Sequence, residues 1–265
     1  MRPYSPGGVL NALAMDYSAY LNFRDSLVPK GYVVMIPNSE SAIEPFPSHP
    51  NFGKDLAYCI SWISAQDSTL GSIFYGKISD KRAIMGHSMG GGCTYLAAQN
   101  NPAVTTTITF AAAETNPLSS SAAKQVNVPS LVFAGQNDCV APLSSNQQKI
   151  YDSLGSSCKT LINIKNGGHC QYANSNLNCD FGETTCRGFS TLLTRPQQQS
   201  ITFQYLYIWL DFYLKGNCSA FTDFQALISS DTRITYQKSC SYYLPSANIF
   251  RNGPATFCND TFTLS

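Results

Sequence analysis

The stretch Ile84-Met85-Gly86-His87-Ser88-Met89-Gly90-Gly91-Gly92 constrains the fold more than any other part of the chain. It carries the pattern G-x-S-x-G, with the apolar run Ala83-Ile84-Met85 leading in and the small-residue run from Gly91 to Ala98 leading out. That context predicts a strand, a sharp turn and a helix, with Ser88 on the turn. Such a turn strains the serine backbone so that the Oγ is presented, and the flanking glycines remove Cβ atoms that would clash. A helix starting just after the serine aims free N–H groups and the positive end of its dipole at the site, which suits a developing oxyanion. The pattern therefore predicts an α/β fold and a nucleophilic serine; a Gly-rich turn without chemistry is the competing reading.

The rest of the chain supplies the alternation such a turn needs. Residues 8–13 read as the end of a strand, and residues 17–28 as an amphipathic helix carrying Tyr20, Phe23, Leu27 and Val28, closed before Pro29. The β-branched run from Gly31 to Pro37 predicts a buried parallel strand. Phe52, Leu56, Cys59, Ile60 and Ile63 share one face of the next helix, with Trp62 near its edge. Further strands are expected over 105–110, 130–135 and 160–164, helices over 147–154 and 202–214, and a long ordered loop over 167–187. The aromatic stripe around Trp209 in the 202–214 helix predicts core packing. Alternating strands and helices predict βαβ units on a mostly parallel sheet, in one domain spanning residues 1–265 with 241–265 as a carboxyl-terminal tail.

A serine nucleophile needs a base and an acid, and the chain offers few. Its three histidines are His49, His87 and His169. His87 adjoins the serine on the turn, where its side chain points away, and His49 precedes the serine, whereas this type of fold places the histidine last, after Ser and Asp or Glu. His169 is therefore the predicted base. Between Ser88 and His169 lie the acids Glu114, Asp138 and Asp152. Asp138 sits in a loop at the carboxyl end of a predicted buried strand, where an α/β sheet collects its functional residues. Asp152 falls within a predicted helix as a solvated residue, and Glu114, also after a strand, stays as the alternative acid. The expected chemistry has Asp138 orient His169, His169 deprotonate Ser88, and Ser88 attack a carbonyl to form an acyl-enzyme that water cleaves.

Composition narrows partners and compartment. Lys+Arg number 17 against 16 Asp+Glu, a net charge of +1, so no nucleic acid or anionic membrane partner is expected. No run of 18 apolar residues occurs, so no transmembrane helix is expected. The chain has 10 cysteines without a paired C-x-x-C zinc pattern, which points to disulfides and export; residues 1–8 lack an apolar leader, so the expectation is that a leader has been removed or that the reading frame starts late. The acidic residues form no calcium-ligand cluster, and no cofactor is expected. A monomer is expected.

Taken together, Gly86 to Gly92, then Gln99-Asn100-Asn101-Pro102, the Asp138-Cys139-Val140-Ala141-Pro142 loop and His169 make the chain resemble the bacterial cutinase and PET-hydrolase type of polyester hydrolases, within the dienelactone-hydrolase-like part of the α/β-hydrolase superfamily. The resemblance runs from about Asp16 to Cys240, with the Cys-rich loop and Ala112 to Pro117 closer to Bacteroidetes homologues than to actinobacterial ones. It implies an α/β-hydrolase fold and a secreted carboxylic ester hydrolase with an open, shallow cleft suited to polymer chains. Two departures accompany it. Where those enzymes carry a tryptophan after the strand ending at Phe110, this chain has Ala113, next to Glu114. The oxyanion hole is expected from the backbone N–H of Met89 and, in the stretch Asn11 to Met15, that of Leu13, without the usual glycine; the family's first strands have no counterpart before residue 9. The resemblance also implies a Cys218–Cys240 disulfide, while Cys179–Cys186 and Cys139–Cys170 are expected by position, with Cys158 competing for Cys139. Besides polyester hydrolysis, a small-ester, lactone or lipid hydrolase and a non-catalytic binding protein remain as readings, the first favoured by Ala113 and the second by the altered amino-terminal stretch.

Overall fold

The computed structural model describes residues 17–37 and 48–240. The predicted strands 8–13, the residue Leu13 and the tail 241–265 lie outside the described residues. Among the described residues five strands form one sheet in the order β1 (Ala83–His87), β2 (Thr106–Phe110), β3 (Ser130–Gly135), β4 (Lys159–Ile164), β5 (Ile234–Lys238). The first three pairings are parallel and the last antiparallel. Parallel neighbours need crossovers, which here are helices. With α1 (Leu21–Leu27) and α2 (His49–Ser68) preceding the sheet, α3 (Met89–Ala98) joins β1 to β2, α4 (Ser119–Ala123) joins β2 to β3, and α5 (Gln147–Ser153) joins β3 to β4. Between β4 and β5 come α6 (Leu177–Cys186), α7 (Arg195–Lys215) and α8 (Ser219–Ser230).

The sheet is covered on both faces, as a parallel sheet must be, and its side chains sort by the period of two. Ile108, Phe110, Leu131, Phe133, Ile162 and Ile164 enter one core with Phe23 and Leu27 of α1, Tyr205, Leu206 and Trp209 of α7, and Phe224 of α8. Their neighbours Val132, Ala134 and Leu161 enter the other, with Phe52, Leu56 and Ile60 of α2, Tyr95 of α3 and Ile150 of α5. The aromatic stripe of α7 is core packing, and the indole N–H of Trp209 donates to Thr106 Oγ1 at 2.8 Å. α7 starts earlier than its apolar stripe because Thr194 and Gln197 form a capping box around Pro196, and it stops at Gly216, whose φ is 68°.

Two expectations fail here. Residues 31–37 do not join the sheet: among the described residues β1 is the edge strand, and this segment and β1 both line one cavity of about 320 Å³, so the run has apolar contacts with the core but no ladder. Residues 167–187 are not a loop throughout, since α6 occupies the second half; the Asn176 side chain caps it by accepting from the N–H groups of Asn178 and Cys179.

The turn after β1 is built as the sequence demands. Ser88 has φ 55° and ψ −125°, and is tied to β2 by its N–H donating to Phe110 O at 3.0 Å and its O accepting from Ala113 N at 2.9 Å. Gly86 permits the close return of the chain, because a Cβ there would lie 2.1 Å from Gly90 O. Gly86→Ala should therefore lower the unfolding free energy by about 3 kcal/mol or more. Gly182→Ala in α6, where nothing lies within 4 Å of the added Cβ, should instead raise it by about 0.5–1 kcal/mol. Urea unfolding of the two variants checks both signs.

Candidate active site

The carboxyl ends of β1, β3 and β4 deliver Ser88, Asp138 and His169 to one place, as parallel sheets of this kind do. Ser88 Oγ lies 3.0 Å from His169 Nε2, and His169 Nδ1 lies 2.8 Å from Asp138 Oδ2. The other oxygen of Asp138, Oδ1, accepts from the N–H groups of Val140 at 2.9 Å and Ala141 at 2.8 Å, which fixes the carboxylate. The loops after β3 and β4 run against each other, with Asn137 N–H donating to Gly167 O at 2.8 Å. Gly135 allows that approach, since its Cβ would meet Gly167 at 2.7 Å. Ser88 and His169 are each 1 % exposed. Burial by itself would lower the His169 pKa, but the charge and hydrogen bond of Asp138 and the charge of Glu183 outweigh it, so the net shift is upward.

Met89 opens α3, and the first N–H groups of a helix have no acceptor within it, so its N–H is available beside Ser88. Its side chain packs with Ala113 and Ala141 in a small apolar cluster. Ala113, expected in place of an aromatic platform, is thus buried in that cluster beside the Ser88 turn.

The competing residues are occupied elsewhere. Glu114 Oε2 accepts from Ser119 Oγ at 2.7 Å and Ser120 N–H at 3.1 Å, holding the start of α4. Asp152 accepts from Gln148 Nε2 on the surface of α5. His49 Nδ1 accepts from Asn116 N–H at 2.9 Å, and burial lowers its pKa. His87 bridges Tyr20 Oη at 2.7 Å through Nδ1 and the carbonyl of His169 at 2.9 Å through Nε2. Burial, followed by repulsion from His169, lowers the His87 pKa, so the ring is neutral, donating from Nε2 to that carbonyl and accepting from Tyr20. Among the described residues no group of three or more His, Cys, Asp or Glu side chains is placed to hold a metal ion.

The disulfides differ from all three expected pairings. Cys139, after Asp138, bonds Cys186; Cys170, after His169, bonds Cys179. The two loops are therefore joined through α6 and not directly. Cys179 cannot reach Cys186 because both lie on α6, where seven residues rise about 10 Å, beyond the ~7 Å Cα limit of a disulfide. Cys240 bonds Cys158, not Cys218. The β4–β5 register, with Thr160 opposite Lys238, places residues 158 and 240 opposite each other.

Sequence reasoning missed the residues that hold the His169 loop. Gln198 of α7 clamps Gly168, accepting from its N–H at 2.8 Å and donating to its carbonyl at 2.9 Å. Glu183, only 2 % exposed, accepts from the N–H groups of both His169 and Cys170. The spacing Cys179, Glu183, Cys186 was the available signal, because steps of four and three share one helix face.

A family model described as PET hydrolase-like matches residues 15–187. The chain belongs to the PET hydrolase-like family. Similar proteins include a bis(hydroxyethyl) terephthalate hydrolase of Streptomyces coelicolor, 26 % identical over 151 residues, covering 57 % of this chain and 45 % of that one. Cutinase est1 of Thermobifida alba is 32 % identical over 92 residues, covering 34 % and 30 %, and cutinase 1 of Thermobifida cellulosilytica is 37 % identical over 79 residues, covering 30 % and 29 %. The matches span less than half the length of these relatives. The α/β-hydrolase architecture of the PET hydrolase-like family is the one described above.

Non-reducing peptide mapping should recover Cys139–Cys186, Cys158–Cys240 and Cys170–Cys179. Replacing both Cys158 and Cys240 by Ser, at the end of β4 away from Ser88, should cost about 2–4 kcal/mol of stability. Hydrolytic rates should be unchanged in that variant when both are measured below its unfolding transition.

Proposed function

We propose that this PET hydrolase-like protein is a serine carboxylic ester hydrolase in which Ser88 forms the acyl-enzyme. The observation that carries the reading is the unbroken chain from Ser88 Oγ through the His169 ring to the Asp138 carboxylate, with both contacts at 3.0 Å or less. Asp138 keeps Nδ1 of His169 protonated, which leaves Nε2 free to take the proton of Ser88. The alkoxide attacks the ester carbonyl, the N–H of Met89 donates to the resulting oxyanion, and His169 returns the proton to the departing alcohol. Water, deprotonated by the same Nε2, then attacks the acyl-enzyme and releases the acid. The proposed second oxyanion donor, Leu13, lies outside the described residues.

Polyesters and bulky esters are the proposed substrates, supported by the terephthalate hydrolase and cutinases among the relatives. Small esters are the second reading, favoured by Ala113 beside the Ser88 turn, which supplies no aromatic face. Secretion is proposed on the disulfides, which persist in oxidising compartments, and no helix among the described residues is long and apolar enough to cross a membrane.

Ser88→Ala should lower ester hydrolysis about 10⁴-fold or more, and equal rates would refute the mechanism. Release of acid from polyester film, compared with p-nitrophenyl esters of rising chain length, separates the two substrate readings. His169 acts only when neutral, so activity falls as pH drops through its pKa. Because that pKa is raised, the acid limb of kcat/KM should have its midpoint above the ordinary histidine value of about 6.5.

A further inference from the structure

We infer that Glu183 is a positioning residue for His169: from α6 it accepts from the backbone N–H groups of His169 and Cys170 and supplies a second negative charge near the imidazole. The inference rests on the reading of Ser88, His169 and Asp138 as an ester-hydrolysing triad and adds to it an element that none of the three contains.

The geometry is specific. Glu183 Oε1 accepts from the N–H of His169 itself, and Oε2 lies 3.4 Å from the N–H of Cys170. Both oxygens are thus spent on consecutive amides of the loop that carries the base, at a site 2 % exposed. A buried carboxylate placed this way costs desolvation that the two backbone donors offset. The remaining polar groups of the same stretch are also engaged: Gln198 takes both backbone groups of Gly168, and His87 donates to the carbonyl of His169. The His169 backbone therefore has no acceptor or donor left to let it turn.

The helix that carries Glu183 is itself fastened to both loops. One turn before Glu183, Cys179 is bonded to Cys170; one turn after, Cys186 is bonded to Cys139 beside Asp138. Asp180 of α6 pairs with Arg195 at the start of α7. Glu183 sits between the two disulfides on the face they define, so the residues following the base and the acid and the carboxylate between them form one rigid unit. A carboxylate there does two things for the reaction. It fixes the direction of the imidazole, on which the Ser88 contact depends. It also favours the imidazolium that forms when His169 takes the serine proton, in the same sense as Asp138.

The test compares wild type, Glu183→Gln and Glu183→Asp in hydrolysis of p-nitrophenyl acetate across the acidic and neutral range, with rates referred to the fraction of protein labelled by a fluorophosphonate. Gln offers one acceptor where two donors converge and carries no charge. Its kcat should fall about tenfold or more, and the acid limb of its kcat/KM should move down by about 0.5 pH unit or more, because removing a negative charge lowers the His169 pKa. Asp keeps the charge but withdraws the acceptors, so kcat should fall with the limb in place. A purely structural residue would change the labelled fraction without moving the limb. A limb in Glu183→Gln coinciding with that of wild type overturns the inference, as does wild-type kcat in Glu183→Asp, which decides the matter if the Gln variant does not fold. Hydrolysis by Ser88→Ala at the wild-type rate would instead overturn the triad, so the two failures are distinguishable.

Discussion

The proposed site depends first on the backbone of Ser88, held at a positive φ between the last residue of β1 and the first of α3. A non-glycine residue pays a conformational penalty of about 1–3 kcal/mol there, and such a conformation persists only where its surroundings over-determine it. They do so here through hydrogen bonds from both sides of Ser88 to the end of β2 and beyond, and through glycines that let α3 turn back onto β1. The same turn starts a helix directly after the serine, so a single strained residue sets the nucleophile's direction and places the Met89 N–H beside it.

The partners of Ser88 are held by a different principle. Asp138 and His169 stand on loops, and loops are the mobile parts of such a fold. Here the acid is fixed by two backbone donors of its own loop, and the base by groups from three directions: His87 beside the nucleophile, Gln198 of α7 and Glu183 of α6. Two disulfides attach α6 to the residues following the acid and the base. Charged residues make up only 12 % of the chain, and among the described residues the two buried acids, Asp138 and Glu183, both hold the loop and ring of one histidine.

Much of this was legible in the sequence because local pattern and global fold agree along the middle of the chain. The G-x-S-x-G turn, the strands through Phe110, Phe133 and Ile164 and the helix around Trp209 all carry the period their environment requires. The scarcity of histidines and acids then left little choice for the triad. The misses have physical causes. Residues 31–37 have the composition of a strand, but pairing needs a neighbour at ladder distance, and that is a property of the whole sheet's edge. The pairing of cysteines depends on which elements lie side by side: the Cys158–Cys240 bond follows from the β4–β5 register, which no local pattern encodes. Reading residues 167–187 as a loop hid α6, and with it the spacing that sets Cys179, Glu183 and Cys186 on one face.

The central claim is that Ser88 is a nucleophile activated by His169. Fluorophosphonate labelling of the folded protein followed by mass spectrometry of its peptides tests it most directly. The geometry predicts modification at Ser88, at a rate that collapses in His169→Ala. Modification at a different serine, no modification of folded protein, or labelling of Ser88 at an unchanged rate without the imidazole would contradict it.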